Sequence, residues 1–326
     1  MSLNRLVLRL TAIAALTVLG PADTVLAQAY PSAPVKLVIP FAPGGPTNLV
    51  GRLIGEKLST LWGQPVLVEN RAGAGGNIGA AFVAKAPADG YTFLLIANSH
   101  VTNAALYDKL PYDPIRDFTP LCQILSYGLL LVVNPGVAAN TLPELIALSR
   151  NDTAKLAMAS SGNGTSTHLA GELFRGMSGM YFTHAPYKGA GPATTDLLAG
   201  HVQMMFNDPV SAMPYVKAGR LRALATTALT RSMLLPEVPT IAESGYPGFQ
   251  AGSWLAFAGP AGMPAEVVKK LSTDIVTVIQ LPEVRTRFAE LGVDSIGGTP
   301  EQLAAVMRAD LDKWTRVIRA ANIKAD

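Results

Sequence analysis

Continuous apolar runs, each closed by a glycine-rich or polar break and followed by apolar residues at helical spacing, recur along this chain. Val35, Leu37, Val38 and Ile39 form the first run, the pattern of a strand covered on both faces. Pro40, Pro43, Gly44, Gly45 and Pro46 then forbid both strand and helix, so the chain turns there. Thr47 is the expected N-cap, and Val50, Leu53, Ile54, Leu58 and Leu61 recur at the period of a helix. The order returns with a strand over 65–70, a glycine loop over 71–79 and a helix from about Ile78 to Lys85. It returns again with a strand at 156–159, the polar loop Ser160 to Gly164, and a helix opened by Thr165. Strands alternating with helices in this way predict an α/β fold.

Further strands are expected at 91–96, 129–133, 204–206 and 220–227. Thr141 to Glu144 and Thr299 to Gln302 read as capping boxes, each opening a helix. Residues 106–120 carry three prolines and are expected to be irregular and at the surface. Residues 186–192 read as a loop, 193–198 as a helix, and Ser244 to Gly248 as a turn. Trp254 and Phe257 flank a return of the chain, and helices at 264–280, 282–291 and 300–321 finish it. Two lobes are expected: residues 30–132 with 252–326, and residues 133–251. Segments that cross and recross between lobes make a hinge.

Residues 1–29 have the form of an export signal, with Arg5 and Arg9 before an apolar core from Leu10 to Leu19 and a small-x-small cleavage pattern at Ala27 to Ala29. The mature chain is expected to begin near Tyr30, to be periplasmic, and to carry no lipid anchor, since no cysteine stands at the cleavage point. The sole cysteine, Cys122, lies among apolar residues and reads as a core thiol. The chain has 26 Lys+Arg and 23 Asp+Glu, and only 15% of residues are charged. With no basic run, a nucleic-acid partner is not expected. His100, His168, His184 and His201 lack metal spacing, so no metal site is expected. The Gly73-x-Gly75 loop resembles a dinucleotide turn only loosely, and the next strand ends in Ala97-Asn98-Ser99-His100 without the ribose-binding acid. No cofactor is expected.

A strand, a glycine loop and a helix N-terminus bring free backbone N–H groups and the positive end of a helix dipole to one point, which suits an anion. Each lobe carries one such unit, so two facing lobes could clamp an anion without catalytic machinery. Candidate contacts also lie at polar C-terminal ends of strands, where open α/β sheets keep ligands. Asn98 and Ser99 either face a cleft or cap a helix. His168 either reaches a ligand or packs locally, Asn207 ends a strand, and Asp208 either faces the cleft or caps the helix from Pro209. Lys188 either pairs with a ligand charge or stays solvated. No G-x-S-x-G elbow, phosphate loop or H-E-x-x-H motif is present. A secreted hydrolase or lyase is the alternative, and an enzyme is not expected.

Five motifs in order, Phe41-Ala42-Pro43-Gly44-Gly45-Pro46-Thr47-Asn48, Asn70 to Asn77, Ser161-Gly162-Asn163-Gly164-Thr165, Pro186 to Gly189 and Glu243 to Gly248, resemble the Bug proteins, the TctC-type periplasmic solute receptors of tripartite tricarboxylate transporters. The resemblance covers essentially the whole mature chain. It implies a two-domain periplasmic-binding-protein (Venus flytrap) fold with crossing strands between the lobes. It also implies a monomer that closes on a small carboxylate, whether a di- or tricarboxylate or an aromatic acid, and delivers it to the membrane permease subunits of such a transporter. By the same resemblance, the loop Phe41, Ala42, Gly44, Gly45, Thr47 and Asn48 holds one carboxylate, and Ser161, Gly164 and Thr165 face it. One departure is Asn48, where the family usually has Asp. Loss of that carboxylate is expected to disfavour amino-acid ligands.

Overall fold

The computed structural model describes residues 30–150, 156–320 and 323; the expected export segment lies outside them. β1 (Val35–Ile39) is buried at four of its five positions, as expected of a strand covered on both faces. Its turn ends in α1 (Pro46–Trp62), which starts earlier than the sequence suggests. Gly45 is the cap, Pro46 supplies a preset φ at the first helical position, and Thr47 sits inside the first turn. β2 (Val66–Asn70) and β3 (Thr92–Ala97) flank β1 in parallel. Between them a short 3-10 turn over Ala74–Gly76 leads into α2 (Asn77–Ala84). α3 (Ser99–Leu106) follows β3 directly.

The chain after α3 departs from expectation. Tyr112 and Phe118 are buried, and their rings pack with His100. The Tyr112 hydroxyl donates to Asn77 Oδ1 at 2.7 Å. The prolines prevent regular structure up to residue 117, yet they do not prevent burial. β4 (Phe118–Gly128) then runs for 11 residues. Its Thr119, Pro120, Gln123 and Ser126 interrupt the apolar pattern and hide a strand whose Leu121, Cys122, Ile124 and Leu125 are buried.

The chain passes from the first sheet to a second at Leu129. There it builds β5 (Leu130–Val133), α4 (Leu142–Ser149), β6 (Ala157–Ser160), α5 (Ser166–Ser178), β7 (Thr183–Pro186), α6 (Ala190–Ala199), β8 (Met204–Asn207), α7 (Pro209–Lys217) and β9 (Arg222–Thr226). The second sheet has the order β7-β6-β8-β5-β9. The expected division after residue 132 therefore falls within β5. The chain returns as β10 (Gly252–Pro260), which pairs antiparallel with both β3 and β4. β11 (Asp294–Ser295) adds an edge, giving the order β11-β4-β10-β3-β1-β2. α8 (Ala265–Ile279), α9 (Pro282–Glu290) and α10 (Pro300–Ala320) complete the first lobe. Trp314 on α10 is buried as expected, and Trp254 on β10 donates to Asp310 of α10 at 2.7 Å.

Thr227 ties the crossing segments together. Its N–H donates to the Leu129 carbonyl at 2.8 Å, and its hydroxyl oxygen accepts from the Leu129 N–H at 2.7 Å. The same hydroxyl donates to the Ala251 carbonyl at 2.5 Å. Gly128 allows this close passage, because a Cβ there would lie 2.7 Å from Ala228 Cβ. Two sheets, each covered by helices and joined by paired crossings, make a two-lobed α/β fold.

Candidate functional site

Both strand-loop-helix units lie at one cleft. In the first lobe, Gly44 takes φ +89°, a left-handed value suited to glycine. The loop then presses on the start of α6. A Cβ on Gly45 would sit 3.3 Å from Ala190 Cβ, and one on Gly191 would run into the Pro43 carbonyl. The Ala42 N–H donates to the Lys188 carbonyl at 3.0 Å. A second bond between lobes runs from the Thr102 hydroxyl to the Gly164 carbonyl at 2.7 Å.

Behind these contacts is a cavity of about 30 Å³, lined by Phe41, Pro46, Thr47, Ala97, Asn98, Ser99, Tyr127, Ser161, Thr165, Ser166, Thr167, Ala190, Asp208, Ser253 and Leu255. The starts of α1, α3, α5, α6 and α7 all contribute to this wall. The unpaired N–H groups and positive dipole ends of those helices therefore face one volume. Two side-chain groups in the wall, Asn98 Nδ2 and Ser161 Oγ, are buried without a hydrogen-bond partner. A buried polar group left unpaired costs about 1–3 kcal/mol, so these two donors are the strongest sign of a ligand. An outer compartment of about 260 Å³ adjoins the cavity, shares Phe41 and Ser161 with it, and is lined further by Gly73 to Gly76, Asn163, Tyr187 and Lys188. A larger groove, about 1060 Å³, runs between α8 and the loop before α10. No residue lining that groove has an unpaired buried polar atom.

The cavity wall has no lysine, arginine or histidine. Its one carboxyl, Asp208, is pushed up to about 6 by burial, with the neighbouring Tyr127 hydroxyl pulling the other way. Burial and the neighbouring Asp208 hold the Tyr127 hydroxyl well above its ordinary range. Burial and the adjacent His184 lower His168 to about 3, so its ring is neutral. Burial likewise raises the Cys122 thiol to about 12, in keeping with a core position.

Of the expected contact residues, Phe41, Thr47, Asn98, Ser99, Ser161, Thr165 and Asp208 meet at the cavity. The others stand behind or beside it. Ala42, Gly44 and Gly45 form the contact with the second lobe. Asn48 turns its Nδ2 to Asn70 Oδ1 at 3.1 Å. The Gly164 N–H donates to His168 Nδ1 at 3.1 Å, and the His168 ring stacks on His184 at 4.0 Å. Asn207 donates to Thr194 at 3.0 Å and accepts from the Asp208 N–H. Lys188 is exposed at the outer compartment. The lining residues Tyr127 and Ser253 lie on β4 and β10, the strands whose extent the sequence concealed. Ser166 and Thr167 follow from the helix start at Thr165, a signal that was readable, whereas Ala190 was missed, because the helix expected from 193 begins at Ala190 inside the expected loop.

Comparison with known proteins decides the family. A family model described as tripartite tricarboxylate transporter family receptor, TctC, matches residues 50–323. The chain belongs to this receptor family. Protein BugT of Bordetella pertussis is 36% identical over 307 residues, 94% of each chain. Three solved structures share the fold. The periplasmic binding protein BugD aligns at a TM-score of 0.87 and 32% identity, over 91% of this chain and 100% of the other. Rpa4515 of R. palustris, solved with adipate, aligns at 0.88 and 36% over the same shares. MatC of Rhodopseudomonas palustris, solved with bound malate, aligns at 0.85 and 33% over 89% and 100%. The receptor thus has a two-lobed periplasmic-binding-protein fold with crossing segments.

Proposed function

We propose that this receptor closes its lobes on a small carboxylate and hands it to the membrane permease of a tripartite tricarboxylate transporter. The observation that carries this reading is the pair of unpaired buried donors, Asn98 Nδ2 and Ser161 Oγ, among several helix N-termini. A carboxylate satisfies both. The inner volume of about 30 Å³ exceeds the roughly 10–15 Å³ that one water molecule needs, which leaves room for a carboxylate head. The remainder of the ligand extends toward the outer compartment, where Lys188 stands at the rim. The adipate and malate bound by the two R. palustris relatives are consistent with this class.

The lobes are best divided at the crossings near Gly128 and Gly252. The contact set is Phe41, Thr47, Asn98, Ser99, Ser161, Thr165 and Asp208, with Tyr127 and Ser253 added. Residues 1–29 serve export to the periplasm, and the working chain starts near Tyr30. The receptor is not an enzyme on this reading. Ser160 Oγ does lie 2.7 Å from His184 Nε2, a spacing that suits a nucleophile and base. Ser160 is fully buried, however, and lines neither the cavity nor the outer compartment. A thermal-shift screen of carboxylates tests the proposal, since a ligand bound only by the folded state raises apparent stability by RT ln(1 + [L]/Kd). The melting temperature should rise with an acid that is recovered unchanged after long incubation. No shift with any carboxylate, or a chemically altered acid, defeats it.

A further inference from the structure

Lys188 is the only lysine, arginine or histidine in the walls of the inner cavity and the outer compartment together. It stands on the second lobe between β7 and α6, and its carbonyl accepts the Ala42 N–H of the first lobe at 3.0 Å. Contact between the lobes therefore fixes its backbone at the cleft. It enters none of the ion pairs among the described residues. The cation belongs to the larger compartment, about 260 Å³, whereas the inner cavity of about 30 Å³ offers neutral donors alone.

The first lobe gives the turn Gly73 to Gly76 to the same compartment. Ala74, Gly75 and Gly76 take φ of +49°, +61° and +103°. Successive N–H groups in a turn of this kind gather on one side, the form of a backbone anion nest. Gly76 spends its N–H on the Gly73 carbonyl at 3.0 Å, and the Ala74 and Gly75 N–H groups have no acceptor among the described residues. The turn closes tightly on the second lobe, since a Cβ on Gly75 would lie 2.8 Å from the Asn163 carbonyl oxygen. Ser161 is 8% exposed, lines both compartments and keeps its hydroxyl buried without a partner. A ligand that reaches from one compartment into the other passes it.

The two compartments are thus equipped differently. Neutral donors in the inner one accept any carboxylate head, while the outer one sets a full positive charge and two free amides around the far end of the ligand. A neutral far end leaves those groups unanswered; a second anion meets all three. We propose that the receptor selects acids with a negative group at each end, and that Lys188, with the Gly73 to Gly76 turn, holds the second group in the outer compartment; this rests on the carboxylate reading above. Lys188 is then a specificity-determining residue. An aromatic monoacid is the competing occupant, packed on Phe41 and Tyr187, but it offers the lysine nothing, and the Tyr187 hydroxyl is already committed to Asp196 at 2.7 Å.

The test is calorimetric titration of the full mature chain with succinate, glutarate and adipate, each against its own monoamide, which keeps the length and removes one charge, and with benzoate. At least one diacid should bind about tenfold or more tightly than its monoamide, and added salt should shrink that preference. Lys188→Gln should weaken the diacid about fivefold and leave the monoamide unchanged, while Lys188→Arg keeps the preference. A merely structural lysine would move both ligands together. The diacid and monoamide comparison on the unaltered protein stands even if a variant fails to fold. A monoamide or benzoate that binds as tightly as every diacid overturns the proposal and leaves the carboxylate reading intact. So does a preference that survives undiminished in a Lys188→Gln protein with the parent's melting temperature. Failure of every acid overturns the carboxylate reading itself and the proposal with it, a result distinct from binding without regard to the second charge.

Discussion

In the first lobe the loop between β1 and α1 spends its glycines on contact with the facing lobe, whereas the loop between β6 and α5 is braced by its own side chains. The second loop uses most of its backbone donors internally. The Ser161 N–H donates to Thr167 Oγ1 at 2.8 Å, the Gly162 N–H to Ser160 Oγ at 3.2 Å, and the Gly164 N–H to His168 Nδ1 at 3.1 Å. Thr165 Oγ1 closes the turn on the Gly162 carbonyl at 2.7 Å. What remains to greet a ligand is a side chain, Ser161 Oγ. In the first lobe the unpaired side-chain donor of the cavity wall lies outside the glycine loop. It is Asn98, at the end of the neighbouring strand β3. A shared strand, glycine loop and helix pattern therefore fixes where a helix begins, and leaves open which atoms face the cleft.

The largest way to break this division is at the interlobe contact. Gly45→Val adds a Cβ 3.3 Å from Ala190 Cβ and 3.5 Å from the Ala190 and Gly191 nitrogens, with two methyls beyond it. Its φ of −92° suits valine, so the ligand-free fold should lose only about 1 kcal/mol of capping preference. Closure should fail, lowering affinity by two orders of magnitude or more by titration, a loss of about 3 kcal/mol. Binding as tight as the parent's would mean the lobes close without this contact.

Next come the two donors. Asn98→Ala and Ser161→Ala each remove one hydrogen bond to a charged group, worth about 1.5–3 kcal/mol, or roughly 10- to 150-fold in Kd. Ser161→Ala also removes an unpaired buried hydroxyl, so its ligand-free melting temperature should hold or rise. A fall in stability without a fall in affinity would mark Ser161 as structural.

Acid should separate fold stability from binding. Burial lowers His168 to about 3 and His100 to about 4, below the ordinary value near 6.5. The unfolded chain therefore binds more protons below that value, and stability is lost as pH falls from about 6.5 toward 3. Melting temperatures of the ligand-free protein should decline over that range, and His168→Gln should soften the decline. An acid-independent melting temperature would mean the two rings are not held neutral.

Much of the order of strands and helices was legible because apolar runs and glycine breaks are local signals, although α3, β7 and β11 were not expected. Thr141 shows the same economy: its Oγ1 accepts from the Glu144 N–H at 3.3 Å, while Glu144 reaches back to the Asn140 N–H at 2.7 Å. β4 was not legible. Pro120 pairs with Ala258 within a strand whose register shifts twice, and that irregularity is imposed by β10, more than 100 residues away. Tyr127 and Ser253 were missed for the same reason, since their place at the cavity depends on that pairing. The turn of Asn48 away from the cavity was equally hidden, because Asn48 lies in α1 and its partner Asn70 at the end of β2.

Asn48 gives the smallest expected effect and the sharpest test of how the first loop works. Its Nδ2 bonds to Asn70 Oδ1 at 3.1 Å, and Asn70 Nδ2 in turn donates to the Phe41 carbonyl at 2.8 Å, so the pair props the loop from behind. Asn48→Asp exchanges the donor for an acceptor that Arg52, already 3.3 Å from Asn70 Oδ1, can meet. An i, i+4 ion pair of that kind is worth about 0.3–0.5 kcal/mol, while the lost amide bond costs about 1 kcal/mol. The melting temperature should fall slightly. The ligand range should stay as it is, with affinity for the preferred carboxylate within about threefold of the parent, less than 1 kcal/mol. A new preference for amino acids in Asn48→Asp, read by titration against matched acids with and without an ammonium group, would place this side chain at the ligand and reverse the assignment of the loop.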